Sequence, residues 1–368
     1  MIVLFGATGY TGTLVAEAMV ARGLAPTLAG RDPARLAPLA ARLGGLPTVH
    51  AEVADRTSVF ELVGRGDVLV STVGPFRRLG WPAVRAAVEA GAVYLDSTGE
   101  PPFIRSVQDW FGPQAARSGA ALLTAFGSDY VPGVLAGALA LRDAGPAARR
   151  VDVGYFLTGR GRLFSRGTAR SVAALAFEPS HAFRGGRLRA EPAAARLRTF
   201  VVDGRPLPAV TIGGIEQYAL PRLAPDLDTV DVHVGWFGPA SAALHASARA
   251  TPVLQRVPGV RKASQAVGDR VARRLPEAPD AEANAAARSH VVAEAFDGSG
   301  VLLARVRLTG PGAYAVTAGL LAWGAGRAAE HGVSGTGALD AVSAFGLDAL
   351  VEGAGEAGIR RAEAGRPA

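Results

Sequence analysis

Residues 1–12, MIVLFGATGYTG, constrain this chain more than any other stretch. A short apolar run leads into Gly6, Gly9 and Gly12, spaced GxxGxxG, and an apolar-periodic segment comes next. In a strand–turn–helix unit each glycine has its own duty. The first allows the tight turn, the second lets backbone approach a pyrophosphate, and the third lets helix and strand pack closely. The uncovered N-terminus of the helix then favours anionic groups. The stretch therefore reads as a dinucleotide-binding turn, with Gly6, Thr8, Gly9, Tyr10 and Thr11 as the expected contacts.

The next hundred residues complete the unit. Short apolar runs at 1–5, 26–29, 48–53, 68–70, 93–95 and 121–124 read as strands. Helical patterns lie between them at 14–22, 33–43, 57–63, 81–90 and 102–117, with Gly23 and Gly91 as stops. Such alternation implies an α/β fold, a Rossmann doubly wound parallel sheet over residues 1–127. After residue 145 the rhythm changes. Segments 151–157, 198–202, 229–236, 289–295 and 301–308 read as strands, the last two as a hairpin around 297–300. Residues 240–288 read as helical with a loop at 276–283, and 314–331 and 338–357 as long helices before a frayed tail. His181 falls in what reads as a surface loop.

The end of the second strand bears on the cofactor. NAD sites usually carry an acid there, for the ribose 2′-hydroxyl. Here Gly30 replaces it and Arg31 offers a guanidinium fork to a 2′-phosphate, so NADP(H) is expected; Asp32 leaves NAD open.

Missing residues narrow the chemistry. The chain has no Cys, which excludes disulfides, thiolate metal sites and the Cys nucleophile of semialdehyde reductases. Lys262 is the sole Lys and Pro258 stands four residues before it, so the Tyr-x-x-x-Lys pair of short-chain dehydrogenases is missing. The net charge of +7 is spread as Arg along the chain with few aromatics, which argues against nucleic acid. The apolar stretch 118–141 is broken by Asp129 and Pro132, and 311–326 is too short to span a bilayer. No integral membrane segment or metal site is expected. The direct entry of residues 1–5 into a strand suggests no signal peptide and a cytoplasmic location.

Further motifs are VSTVGPF at 70–76 with Gly80, YLDSTGE at 94–100, FGSDYVP at 126–132, SRGTARS at 165–171, Pro311 through Thr317, and GVSGTGAL at 332–339. Together they resemble the saccharopine dehydrogenase-like oxidoreductases, a group that includes saccharopine reductases and trans-acting enoyl reductases. The resemblance implies a Rossmann domain of residues 1–127 plus 312–368. An inserted α+β mixed-sheet domain, 128–311, would serve substrate binding and dimerisation. It also implies that Thr72, Gly74, Pro75, Phe76, Thr98 and Gly99 line the nicotinamide side of the cofactor, and that Asp55 lies near adenine. Gly337 stands where the family often has Pro, and Arg166 where it often has Gly.

Reduction also needs a proton source. Asp129 and Tyr130, just past the sixth strand, and Tyr155 in the second domain are the catalytic candidates. Ser128 or Asp129 could also cap the next helix. Glu100 and Arg166 are candidate substrate contacts. The expected activity is NADPH-dependent reduction of a C=C or C=N bond in a small, largely apolar substrate, carrier-linked or a secondary metabolite. A non-enzymatic NADP sensor and a Rossmann enzyme of non-redox chemistry stay open as alternatives. Antiparallel edge strands in the second domain leave a homodimer open.

Overall fold

The computed structural model describes residues 1–159, 179–248 and 280–362. Its strands in chain order are β1 Ile2–Phe5, β2 Thr27–Gly30, β3 Thr48–His50, β4 Val68–Ser71, β5 Val93–Asp96, β6 Ala121–Leu123, β7 Arg150–Thr158 and β8 Pro179–Arg184. They continue with β9 Arg187–Pro192, β10 Leu197–Val202, β11 Arg205–Ile212, β12 Thr229–Val234, β13 Arg288–Phe296, β14 Leu302–Pro311, β15 Gly337–Ala338 and β16 Arg360–Arg361. The chain divides into two compact units, Met1–Val131 with Tyr314–Gly358, and Pro132–Ala313 with the tail from Ile359.

The first unit is a seven-stranded sheet in the order β15-β6-β5-β4-β1-β2-β3, with every neighbouring pair parallel. β1 and β4 are buried along their whole length, which is why their sequences are apolar runs, broken only by Ser71 at the end of β4, rather than alternating ones. The strand order reverses at β1, so a crevice opens at the carboxyl ends of β1 and β4.

Several boundaries differ from expectation. The first helix spans Tyr10–Ala21, beginning four residues before its apolar periodicity. Tyr10 and Thr11 are only half-buried, so its first turn carries no core signal. β3 stops at His50 because it is an edge strand with exposed ends. The helical segment 101–118 is interrupted by a π-type turn at Val107–Phe111. The helix expected over 338–357 is instead β15 followed by helices Ala341–Phe345 and Leu347–Glu356. Asp340 caps the first of these, and Gly346, at φ 82°, separates the two.

The second unit is a mixed sheet with β10-β11-β12-β7-β13-β14-β16 along its path and the β8–β9 hairpin joined through β12. β13 and β14 form the expected hairpin. β8, β9 and β11 were not expected. Their hairpin signals are present, however, as Gly185-Gly186 and Asp203-Gly204, all four residues with positive φ. His181 therefore lies inside β8 and is buried, not in a surface loop. A helix, Ala281–Ala286, begins inside the expected loop at 276–283. Arg360 and Arg361 pair with β14 instead of fraying.

Across β12, β7, β13 and β14, Asp231, Asp152, Glu294 and Arg305 stand directly opposite one another. Three aligned carboxylates would repel. Arginines separate them. Arg184 and Arg196 reach Asp231 at 2.7 Å, Arg150 reaches Asp152 at 2.8 Å and Arg305 reaches Glu294 at 2.6 Å. Arg198 pairs with both Asp152 and Glu294. Beside this row burial pushes His233 down to about 3, so its imidazole is neutral.

Candidate functional site

The Gly-rich turn is built by exclusion of side chains. The N–H groups of Gly6 and Ala7 donate to the Ala29 carbonyl at 2.9 and 3.2 Å, which ties the turn to β2. Gly6 has φ +89°, and a Cβ there would stand 2.8 Å from Thr72 Oγ1. A Cβ on Gly12 would lie 2.2 Å from the Gly6 carbonyl oxygen, so helix and turn meet only because it is glycine. Gly9 begins the helix, and no side chain caps it. Thr72 Oγ1 donates to the Gly6 carbonyl at 3.1 Å, so β4 braces the turn.

At the end of β2, Gly30 is buried and Arg31 exposed. The carboxylate of Asp32 accepts from Ala34 N and Arg35 N, capping the helix Pro33–Arg42. Arg35, which the sequence did not single out, donates through Nη2 to the Thr8 carbonyl at 2.9 Å. No local pattern singles it out, because Arg31 precedes the Asp32 cap and stands outside the helix that carries Arg35. Asp55 caps the helix Arg56–Phe60 through Thr57 N and Ser58 N.

Two buried carboxylates hold the loops after β4, β5 and β6. Glu100 accepts from Phe76 N at 2.9 Å and Arg77 N at 3.0 Å, so it fixes the turn following the cis Gly74–Pro75 bond. The Phe76 ring is buried against Phe103, with centroids 5.6 Å apart, and is part of the core. Asp96 accepts from Thr98 N at 2.8 Å, Thr124 Oγ1 at 2.8 Å and Ala125 N at 2.9 Å. Its burial pushes the carboxyl up to about 6 against these hydrogen bonds. The loop it holds includes Ala125 at φ 61°, a left-handed conformation that costs a non-glycine residue energy. Thr98 Oγ1 in turn accepts from Glu100 N at 3.2 Å.

Asp129 sits beyond β6. A Cβ on Gly99 would be 2.8 Å from its Oδ2, so the carboxyl lies against the loop after β5. Ser128 Oγ donates to Oδ1 at 3.4 Å. Desolvation outweighs this contact and lifts the Asp129 carboxyl to about 6. Tyr130 is buried and its hydroxyl faces the Gly99 carbonyl at 3.5 Å. Tyr10 packs edge-on against Tyr314, with centroids 5.0 Å apart.

The first unit thus brings the turn, Gly30, Arg31, Thr72, Gly74, Pro75, Thr98, Gly99, Glu100, Asp129 and Tyr130 to the carboxyl edge of one sheet. Tyr155 is in the second unit, where its hydroxyl donates to Glu216 Oε1 and both residues are buried. Gly133 permits this pair, because a Cβ there would lie 1.9 Å from the Tyr155 hydroxyl. Arg166 and the motif 165–171 lie outside the described residues. Among the described residues no cluster of His, Asp or Glu could hold a metal ion, and no helix is long and apolar enough to cross a membrane.

Residues 2–123 match the family described as Saccharopine dehydrogenase NADP binding domain. A trans-acting enoyl reductase of Mycobacterium ulcerans is 39% identical over 137 residues, 36% of this chain and 33% of the relative. A trans-acting enoyl reductase of Mycobacterium tuberculosis is 38% identical over the same length, with the same coverage. The matched part of the chain thus spans about a third of the length of these relatives. The structure is similar to saccharopine dehydrogenase (L-Glu forming) from Saccharomyces cerevisiae, with a TM-score of 0.59, 13% identity, and coverage of 98% of this chain and 99% of that one. Within the first unit, residues 2–123 are thus similar to a saccharopine dehydrogenase NADP-binding domain, and the fold resembles that of the yeast enzyme.

Proposed function

We propose that the chain is an NADPH-dependent reductase of a carbon–carbon double bond conjugated to a carbonyl, in a largely apolar substrate. The observation that carries this reading is the Asp129 carboxyl. It lies against Gly99 at the carboxyl edge of a NADP-binding-type sheet and is shifted to where a proton is readily given near neutral pH. The name of the mycobacterial relatives, trans-acting enoyl reductase, supports the same bond type.

The residues fit the cofactor. The glycine turn closes tightly on β4 and on the helix, which a Cβ at Gly6 or Gly12 would prevent, and the uncapped helix start suits a pyrophosphate. In this reading Arg31, exposed at the end of β2, meets the 2′-phosphate, while Asp32 is occupied as a helix cap. When bound, NADPH supplies the hydride. The protein's part is positional and acidic. Asp96 and Glu100 fix the loops carrying Thr98, Gly99, Gly74 and Pro75. Asp129 holds a proton and delivers it to the carbon next to the carbonyl, after which solvent restores it. Glu100 is a positioning residue in this scheme, since both its oxygens hold backbone N–H groups.

Stopped-flow loss of NADPH absorbance tests the reading, using a short enoyl thioester, a cyclic imine, and a 2-oxo acid with an amino acid. Oxidation by the enoyl thioester is expected. Oxidation only by the 2-oxo acid with the amino acid overturns the reading. Tight NADP+ binding by calorimetry with no oxidation in any arm favours a sensor instead.

A further inference from the structure

Two hydroxyl side chains stand behind the Asp129 carboxyl. Thr317 lies on the helix Ala313–His331, and Ser128 in the loop after β6. Thr317 Oγ1 accepts from Ser128 N at 3.1 Å and donates to Ser128 Oγ at 3.1 Å. Ser128 Oγ then donates to Asp129 Oδ1 at 3.4 Å. The approach is close because residue 127 is glycine, where a Cβ would lie 3.2 Å from Thr317 Oγ1.

We propose that Ser128 and Thr317 are positioning residues, a hydroxyl pair through which the helix Ala313–His331 controls the protonation of Asp129. The inference rests on the reading of Asp129 as proton donor. A serine hydroxyl has one proton to direct and can aim it at many acceptors. By donating into Ser128 Oγ, Thr317 occupies an acceptor site and leaves the serine proton for Asp129. A hydrogen bond to the ionised carboxylate favours that form and opposes the desolvation that disfavours it. The pair thus keeps Asp129 acidic enough to give up its proton.

Other titratable groups of this edge have partners of their own. Asp96 is held by Thr98, Thr124 and Ala125, the Tyr130 hydroxyl faces the Gly99 carbonyl, and Glu100 holds Phe76 and Arg77. On the same helix as Thr317, Tyr314 packs against Tyr10, whose hydroxyl is itself shifted upward by burial.

The decisive experiment observes the carboxyl directly. The full-length protein labelled with 13C at Asp carboxyls is titrated by NMR, with Asp129 assigned by loss of its signal in Asp129→Asn. Ser128→Ala is expected to raise the Asp129 midpoint by about 0.5–1 pH unit, and Thr317→Val to raise it by less. Thr317→Ser, which keeps the hydroxyl, restores the wild-type midpoint. An unmoved midpoint in both Ser128→Ala and Thr317→Val overturns the proposal; should Ser128→Ala fail to fold, the Thr317→Val and Thr317→Ser comparison decides alone. In single-turnover NADPH oxidation the pH limb moves with the NMR midpoint. A moved midpoint with an unmoved limb upholds the hydroxyl pair but removes Asp129 as proton donor.

Discussion

In the mixed sheet, Asp152, Asp231 and Glu294 each face guanidinium groups. In the parallel-sheet unit, Asp96, Glu100 and Asp129 receive hydrogen bonds from backbone N–H groups and hydroxyls. Asp152, Asp231, Glu294, Asp96 and Glu100 are buried and Asp129 is half-buried, yet the partners differ in kind. An arginine partner holds a carboxylate in its charged form and locks adjacent strands together. A neutral donor fixes the position of the carboxylate and compensates less of the desolvation, which leaves Asp96 and Asp129 close to gaining a proton. The first arrangement suits a scaffold and the second suits a loop edge where protons move.

The contrast is broken most forcefully by removing one member from each side. Asp152→Ala leaves Arg150 and Arg198 facing each other without their shared acid. A loss of about 2–3 kcal/mol in urea unfolding is expected, below the range for a fully buried pair because Arg150 is 44% exposed. Calorimetric NADPH affinity should stay as in wild type. Glu100→Ala leaves two N–H groups without their acceptor, at about 2 kcal/mol, and in this case NADPH binding should weaken as well. Equal effects of the two variants on NADPH affinity would erase the distinction between scaffold and site.

A second prediction concerns pH. The folded Asp96 carboxyl, at about 6, lies above its ordinary value of 3.8, so the folded state binds its proton more tightly than the unfolded chain. Its contribution to stability is therefore fully present below about 3.8 and is lost as pH rises through 6. Relative to Asp96→Asn, wild type should gain about 2 kcal/mol in denaturant unfolding between pH 7 and pH 4. Parallel pH curves for the two proteins would show that Asp96 is charged throughout.

The smallest expected effect is on cofactor choice. Arg31→Ala should weaken NADPH binding by about 10-fold while leaving NADH nearly unchanged, and adding Arg35→Ala should deepen the loss. Calorimetry with both cofactors measures this, and an equal loss for NADPH and NADH would point away from a 2′-phosphate site.

Sequence legibility tracks the range of the interactions. The glycine turn was readable because Gly6, Gly9 and Gly12 answer to local backbone geometry. The parallel sheet was readable because buried strands leave unbroken apolar runs. The bracing role of Glu100 is not legible in the sequence. Its partners, Phe76 N and Arg77 N, are 24 and 23 residues away, and no local pattern announces them. The Thr317–Ser128 contact spans 189 residues. The aligned acids of the mixed sheet depend on strand register, which single strands do not reveal. By contrast, the Gly185-Gly186 and Asp203-Gly204 turns are local, and they could have announced β8, β9 and β11.

The proton chemistry of Asp129 is tested most directly by the pH dependence of single-turnover NADPH oxidation with an enoyl thioester, in wild type and Asp129→Asn. With the carboxyl at about 6, the wild-type rate should fall as pH rises above that value. Asp129→Asn should be slower by about 10²–10⁴-fold and flat across the same range. A variant as fast as wild type, or one that keeps the same pH limb, would contradict the assignment of Asp129 as proton donor.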